Sequence, residues 1–165
     1  MTRLMVIGHS NVHIRQQKFW QYVAGLGHDV LVVSPGRWGD QSAKPEHRVL
    51  SLSQTPTVTG SYELRPLSHI GGTDQYAFTF LGLGDLMADF QPDWLYVQQE
   101  PESALADQVM RQLKTRASPH CRYAVFTWEN RRWSERAETG RLQCPPVVRD
   151  LIQSCDLVVC GNGEA

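Results

Sequence analysis

The chain has 165 residues, 41% hydrophobic and 20% charged, with 13 Gly and 9 Pro. That is enough for one ordinary domain whose core buries about 70% of the surface the unfolded chain exposes, and it excludes a disordered tail, a collagen-like repeat and a coiled coil. Sixteen Lys and Arg against seventeen Asp and Glu leave a formal charge of -1, so no strong overall field draws nucleic acid or a membrane.

Short apolar runs alternate with longer helical patterns, the pattern of a parallel α/β sheet. Leu4 to Ile7 is the first strand, and the five residues from Arg3 to Ile7 are too short for the apolar core of roughly 7–15 residues that a signal peptide carries. No stretch reaches the ~20 apolar residues of a spanning helix. Val12 to Leu26 reads as a helix, with Val12, Phe19, Tyr22, Val23 and Leu26 on its apolar face and Gly25 or Gly27 as its stop. Asp29 to Val33 is the second strand, and its unbroken apolar run suits burial on both faces.

Arg48 to Leu52 and Tyr62 to Leu67 are expected as short strands. Gly71 to Asp74 offers a turn and an N-cap, after which Tyr76, Phe80, Leu83, Met87 and Phe90 carry helical spacing. Asp93 to Val97 is a strand, and a helix through Leu105, Val109 and Leu113 follows Pro101. Arg122 to Trp128 is another strand. Pro145-Pro146 opens a further helix, and Leu157 to Cys160 is the last strand. Residues Gly161 to Ala165 read as the opening of a further helix, which suggests the front part of a longer chain. No internal repeat or linker divides the sequence, so residues 1–165 are taken as one domain.

The cysteines are Cys121, Cys144, Cys155 and Cys160, with no C-x-x-C pair among them. Zinc is therefore disfavoured, and a reduced, cytoplasmic setting with Cys155 and Cys160 as small buried apolar residues fits best. His9 and His13 are four apart but lack a third ligand, so no metal is expected.

In a doubly wound sheet, ligands bind beyond the carboxyl ends of the strands where the strand order reverses. The loops to search begin at Gly8, Ser34, Gln98 and Trp128. The first, Gly8-His9-Ser10-Asn11, lacks the second and third glycines of G-x-G-x-x-G, and no G-x-x-x-x-G-K-[ST] occurs, so nicotinamide and ATP sites are disfavoured there. The free N–H groups of the helix start can still hold a hydroxyl or phosphate. His9 lies nearest the strand end and is the better ligand contact of the two histidines. Glu129, directly beyond an apolar strand, is placed to act as a base toward a sugar hydroxyl or to pair with Arg131 or Arg132. Glu100 poses the same choice, the alternative being a helix N-terminal role. Arg131, Arg132, Trp133 and Arg136 form a basic, aromatic cluster that suits a phosphate or an anionic membrane surface, or a solvated, salt-bridged loop.

Several segments together resemble glycosyltransferase family 4. They are Arg3 to His9 running on to Arg15-Gln16-Gln17, Leu26 to Val30, Val33-Ser34-Pro35, Pro92 to Pro101, Phe126-Thr127-Trp128-Glu129-Asn130, and Cys155 to Cys160. The similarity spans nearly the whole chain through short motifs in a shared order. It implies an α/β, doubly wound, mainly parallel Rossmann-like sheet with helices on both faces, the N-terminal half of a GT-B fold. It further implies retaining transfer of a sugar from a nucleotide-sugar to an acceptor hydroxyl, without a cofactor or metal. The donor would be bound by a C-terminal domain carrying an E-x7-E motif, and this half would shape the acceptor site. Trp128-Glu129 stands where many members carry a strand-end histidine.

The expected site is thus Glu129 as the catalytic group, with Gly8, His9 and Ser10 on the cleft floor. Arg15, Glu100, Asn130 and Arg132 are expected to contact substrate. The acceptor would be a sugar or a glycolipid at the cytoplasmic face of a membrane, with peripheral membrane contact and no nucleic-acid partner. The alternative is a stand-alone Rossmann-like binding or interaction module.

Overall fold

The computed structural model describes residues 1–39, 49–52, 55–127 and 146–161. Its strands are β1 (Arg3–Ile7), β2 (Asp29–Pro35), β3 (Arg37–Gly39), β4 (Val49–Ser51), β5 (Thr57–Thr59), β6 (Tyr62–Leu67), β7 (His69–Ile70), β8 (Thr79–Phe80), β9 (Trp94–Gln98), β10 (Arg122–Thr127) and β11 (Leu157–Cys160). The helices are α1 (Ile14–Gly25), α2 (Leu83–Phe90), α3 (Ala104–Arg116) and α4 (Pro146–Ser154), with a 3-10 turn at His9–Val12.

Seven strands form one sheet in the order β11-β10-β9-β1-β2-β6-β5. Every pairing from β11 to β6 is parallel, and within this sheet the β5–β6 hairpin alone is antiparallel. The order turns at β1: Met5 pairs Leu31 on one side and Leu95 on the other. The chain is therefore α/β with a mainly parallel central sheet, as the alternating apolar runs indicated.

Alternation along the central strands divides the core in two. Met5, Ile7, Leu31, Val33, Leu95, Val97, Tyr123 and Val125 pack with Leu83 and Met87 of α2, Leu105 and Val109 of α3 and Leu151 of α4. Val6, Val30, Val32, Tyr62 and Leu64 pack instead with Trp20 and Ala24 of α1. Each large side chain buried this way contributes about 1.5–3 kcal/mol. Burial also pushes the Tyr62 and Tyr96 hydroxyls up to about 12. The same cause lifts the Cys121 thiol to about 11, aided by the charges of Asp93 and Asp156, so it stays a protonated thiol at neutral pH.

The structure corrects several local expectations. The Val12–Leu26 helix begins only at Ile14, after the 3-10 turn, and it buries Gln17, Trp20 and Ala24. Phe19, Tyr22 and Leu26 are exposed instead. Gln17 is tolerated inside because its amide donates to the Asn11 and Val12 carbonyls at 3.0 and 3.2 Å. Asp74 caps a turn, accepting from the Tyr76 N–H at 2.8 Å, and starts no helix. Thr79-Phe80 is a strand paired antiparallel with His69-Ile70, and α2 begins at Leu83. The Gln108 amide holds that strand at Phe80, accepting from its N–H at 3.0 Å and donating to its carbonyl at 2.7 Å. Gly71 makes the turn between these strands with φ 93°, where an added Cβ would collide with the Ala77 carbonyl. Cys155 is half-buried as expected of a small apolar residue, but Cys160 is exposed, because β11 is the outermost strand of the sheet. Among the described residues no helix is long and apolar enough to cross a membrane.

Candidate functional site

The loops following β1 and β9 meet at the point where the strand order turns, the place where open α/β sheets form their ligand crevice. Gly8 permits the meeting. A Cβ there would lie 2.8 Å from the Gln98 carbonyl oxygen and 3.0 Å from Gln98 Cβ. The Gly8 N–H donates to Val33 O at 3.3 Å, and the same carbonyl accepts from Asn11 Nδ2 at 3.2 Å. Asn11 is fully buried, so the turn after β1 is fastened to β2 from beneath.

His9, the first residue of that turn, places Nδ1 at 2.7 Å from Gln99 Oε1. Gln99 is 3% exposed, and its Nε2 donates to the Gln75 carbonyl at 2.5 Å. That second bond fixes the amide, so its oxygen faces His9 and the imidazole must donate from Nδ1. A neutral His9 that donates from Nδ1 carries its lone pair on Nε2. The ring is boxed by Trp38 at 4.9 Å and, edge-on, by Phe78 at 6.1 Å. His69 lies 5.7 Å from Trp38 and 6.0 Å from Phe78 and joins the same box.

Glu100, one residue beyond Gln99, accepts at Oε2 from the Thr127 hydroxyl at 2.7 Å. This links the end of β9 to the end of β10. Glu100 does not cap α3; the buried Ser103 does, its Oγ accepting from Ala106 N at 3.1 Å. Beside the box, Gly36, Arg37, Leu67, Ser68 and His69 line a hollow of about 210 Å³ at the ends of β2 and β6. Arg37 is exposed, and its guanidinium gives this hollow the means to hold an anionic group.

Of the residues expected from sequence, Gly8, His9, Ser10 and Glu100 gather at these neighbouring strand ends. Arg15 stands exposed in the first turn of α1. Glu129, Asn130 and Arg132 lie outside the described residues. Gln99 and Trp38 sat in the loops singled out by sequence without being assigned a role. Phe78, His69 and Thr127 were missed, since an aromatic in a turn and a threonine at a strand end carry no local signal of a site. His9 and His13 do not share a helix face: His13 is extended, at φ −81° and ψ 131°, and exposed. Among the described residues no group of three or more His, Cys, Asp or Glu is placed to hold a metal ion.

The crevice thus offers a hydrogen-bonded imidazole, aromatic walls and a carboxylate tied to a hydroxyl. Among the described residues those groups suit a hydroxylated ligand, and Arg37 in the adjoining hollow can hold an anionic group beside it. No protein-family model matches the chain, and no curated protein matches it significantly.

Proposed function

We propose that the chain is the acceptor-side half of a retaining glycosyltransferase of the family 4, GT-B type. On this reading its sheet is the doubly wound, Rossmann-like half that shapes the acceptor site. The observation that carries the reading is the His9–Gln99 pair at 2.7 Å, seated where the strand order turns. It holds an oriented imidazole at the strand end, in a loop whose sequence lacks the glycines of a phosphate-binding turn. The strand order and the helices packed against both sheet faces also support it.

His9 lines the cleft floor with Gly8 and Ser10 and contacts the acceptor sugar there. Glu100 and Arg15 complete the acceptor contacts on this side. Glu129 takes up the hydroxyl proton, with Asn130 and Arg132 near the transferred sugar. The bond from the sugar's anomeric carbon to the donor phosphate breaks as the bond to the acceptor oxygen forms, with retained configuration. Positive groups and helix N-termini of the donor-binding half stabilise the departing phosphate. The acceptor is a sugar or glycolipid met at the cytoplasmic face of a membrane.

Calorimetric titration of the purified chain with UDP-glucose and GDP-mannose tests this division of labour. The donor pocket lies mostly in the other half, so neither ligand binds in the micromolar range. A micromolar constant, equivalent to about 8 kcal/mol of binding, would contradict the acceptor-side assignment. It would instead make the chain a self-sufficient nucleotide-binding module.

A further inference from the structure

The hollow lined by Gly36, Arg37, Leu67, Ser68 and His69 is separate from the crevice at Gly8 and His9. Its volume, about 210 Å³, is below the roughly 300–1,000 Å³ of pockets that enclose a whole small molecule. A space of that size takes one substituent of a ligand. Backbone hydrogen bonds brace its floor. The Gly36 N–H donates to Leu67 O at 3.1 Å, Gly36 O accepts from Leu52 N at 2.8 Å, and Ser68 O accepts from Leu81 N at 2.9 Å. The shape therefore exists before a ligand arrives, which lowers the cost of binding.

Three side chains of the lining can donate. Arg37 carries a permanent charge and a planar fork of N–H groups, Ser68 a hydroxyl, and His69 an imidazole N–H in either tautomer. Arg37 and Ser68 are exposed, so a ligand can reach them. The His69 ring is half-buried, set 5.7 Å from Trp38 and 6.0 Å from Phe78. Those two rings are 5% and 0% exposed, which fixes the imidazole at the edge of the hollow. Arg3, Arg65, Arg111 and Arg116 each meet a carboxylate; among the described residues Arg37 meets none. It stands instead just past the carboxyl ends of two parallel strands, where Pro35 pairs Leu67 and where open α/β sheets bind ligands. A guanidinium beside two further donors suits an anion, and the set matches the three oxygens of a phosphate group better than the two of a carboxylate. The chain's formal charge is -1, so this attraction is local to the hollow.

We propose that this hollow binds the phosphate group of a small, soluble phosphate monoester such as a sugar phosphate. Arg37 grips two of its oxygens, and Ser68 and His69 donate to the rest, while the remainder of the ligand extends out of the hollow. The inference stands on the hollow and does not require sugar transfer. If transfer also holds, the phosphate belongs to the acceptor, because Trp38 stands between the two places, 4.9 Å from His9 and 5.7 Å from His69.

The test is a nitrogen-15 NMR titration of the chain with glucose 6-phosphate, following the backbone amides of Gly36, Arg37, Ser68 and His69. The four signals move together and saturate by millimolar ligand, whereas glucose leaves them in place. Arg37→Gln, checked by thermal melting to be folded, weakens binding about tenfold, the lower end for a hydrogen bond to a charged group. Lys18→Gln, which removes an exposed cation of α1, binds like the unaltered chain. Signals that stay fixed to several millimolar overturn the proposal, as does undiminished binding by folded Arg37→Gln. An equal loss with Lys18→Gln overturns it too, since the attraction would then be diffuse. Equal binding of glucuronate overturns the phosphate class. Capture by vesicles of phosphatidylcholine and phosphatidic acid, with no response to glucose 6-phosphate, overturns the soluble source.

Discussion

Gly8 decides whether the crevice can exist, because the loops after β1 and β9 approach too closely for any side chain. Gly8→Ala would force a methyl group to 2.8 Å from the Gln98 carbonyl oxygen, and backbone on both sides leaves little to give. We expect a loss of about 1–3 kcal/mol, the usual range for overpacking, read as a lower midpoint in urea unfolding. An unchanged midpoint would mean the two loops separate at no cost and the crevice is not rigid. At this scale the strand-end position of Gly8 and His9 was legible from the apolar run that precedes them. The partner of His9 was not, since Gln99 is 90 residues away and nothing local to Gln99 marks it. The Trp38–Phe78–His69 box is hidden for the same reason. Its members come from separate turns and strands, and only the folded sheet brings their rings together.

The helices illustrate where periodicity misleads. Both sides of α1 carry apolar residues, so helical spacing alone offered Phe19, Tyr22 and Leu26 as readily as Trp20 and Ala24. The second set packs with Val6, Val30 and Val32 of the sheet, and Gln17 is accommodated on that side because its amide is satisfied on the carbonyls of the preceding turn. In the stretch from Tyr76 to Phe90 the helical pattern was real only from Leu83 onward. The pairing of His69-Ile70 with Thr79-Phe80 overrode it upstream. The start of α3 is set by Ser103, which is 1% exposed and bonds Ala106 N at 3.1 Å. Ser103→Ala should cost about 1 kcal/mol, the typical loss of an N-cap, and Ser103→Asp should keep part of it. If Ser103→Ala melts at the same temperature as the unaltered chain, the Ala104 N–H bond to Tyr76 O holds the helix start by itself.

For the molecule as a whole, the alternation of apolar runs with helical segments indicated a parallel sheet, and the sheet is mainly parallel. The pairing of β1 between β2 and β9 is a long-range fact that no single segment declares. The Arg48–Leu52 run anticipated β4, whereas β3, β7 and β8 went unread because each is only two or three residues long, below the length at which alternation registers. The candidate site follows from the fold more than from any motif. Its imidazole and its carboxylate arrive at one end of the sheet because the parallel strands β1 and β9 finish there, and the small antiparallel pairs β3–β4 and β7–β8 bring the aromatic walls.

The central claim, that these residues are the acceptor-side half of a sugar-transferring enzyme, is tested most directly by sequencing the coding DNA downstream of the Ala165 codon. The account predicts an open frame continuing for a second domain of similar size, with its own Gly-rich strand–helix unit and an E-x7-E pair. A stop codon immediately after Ala165 would contradict it and leave His9 and its neighbours as the site of a binding module.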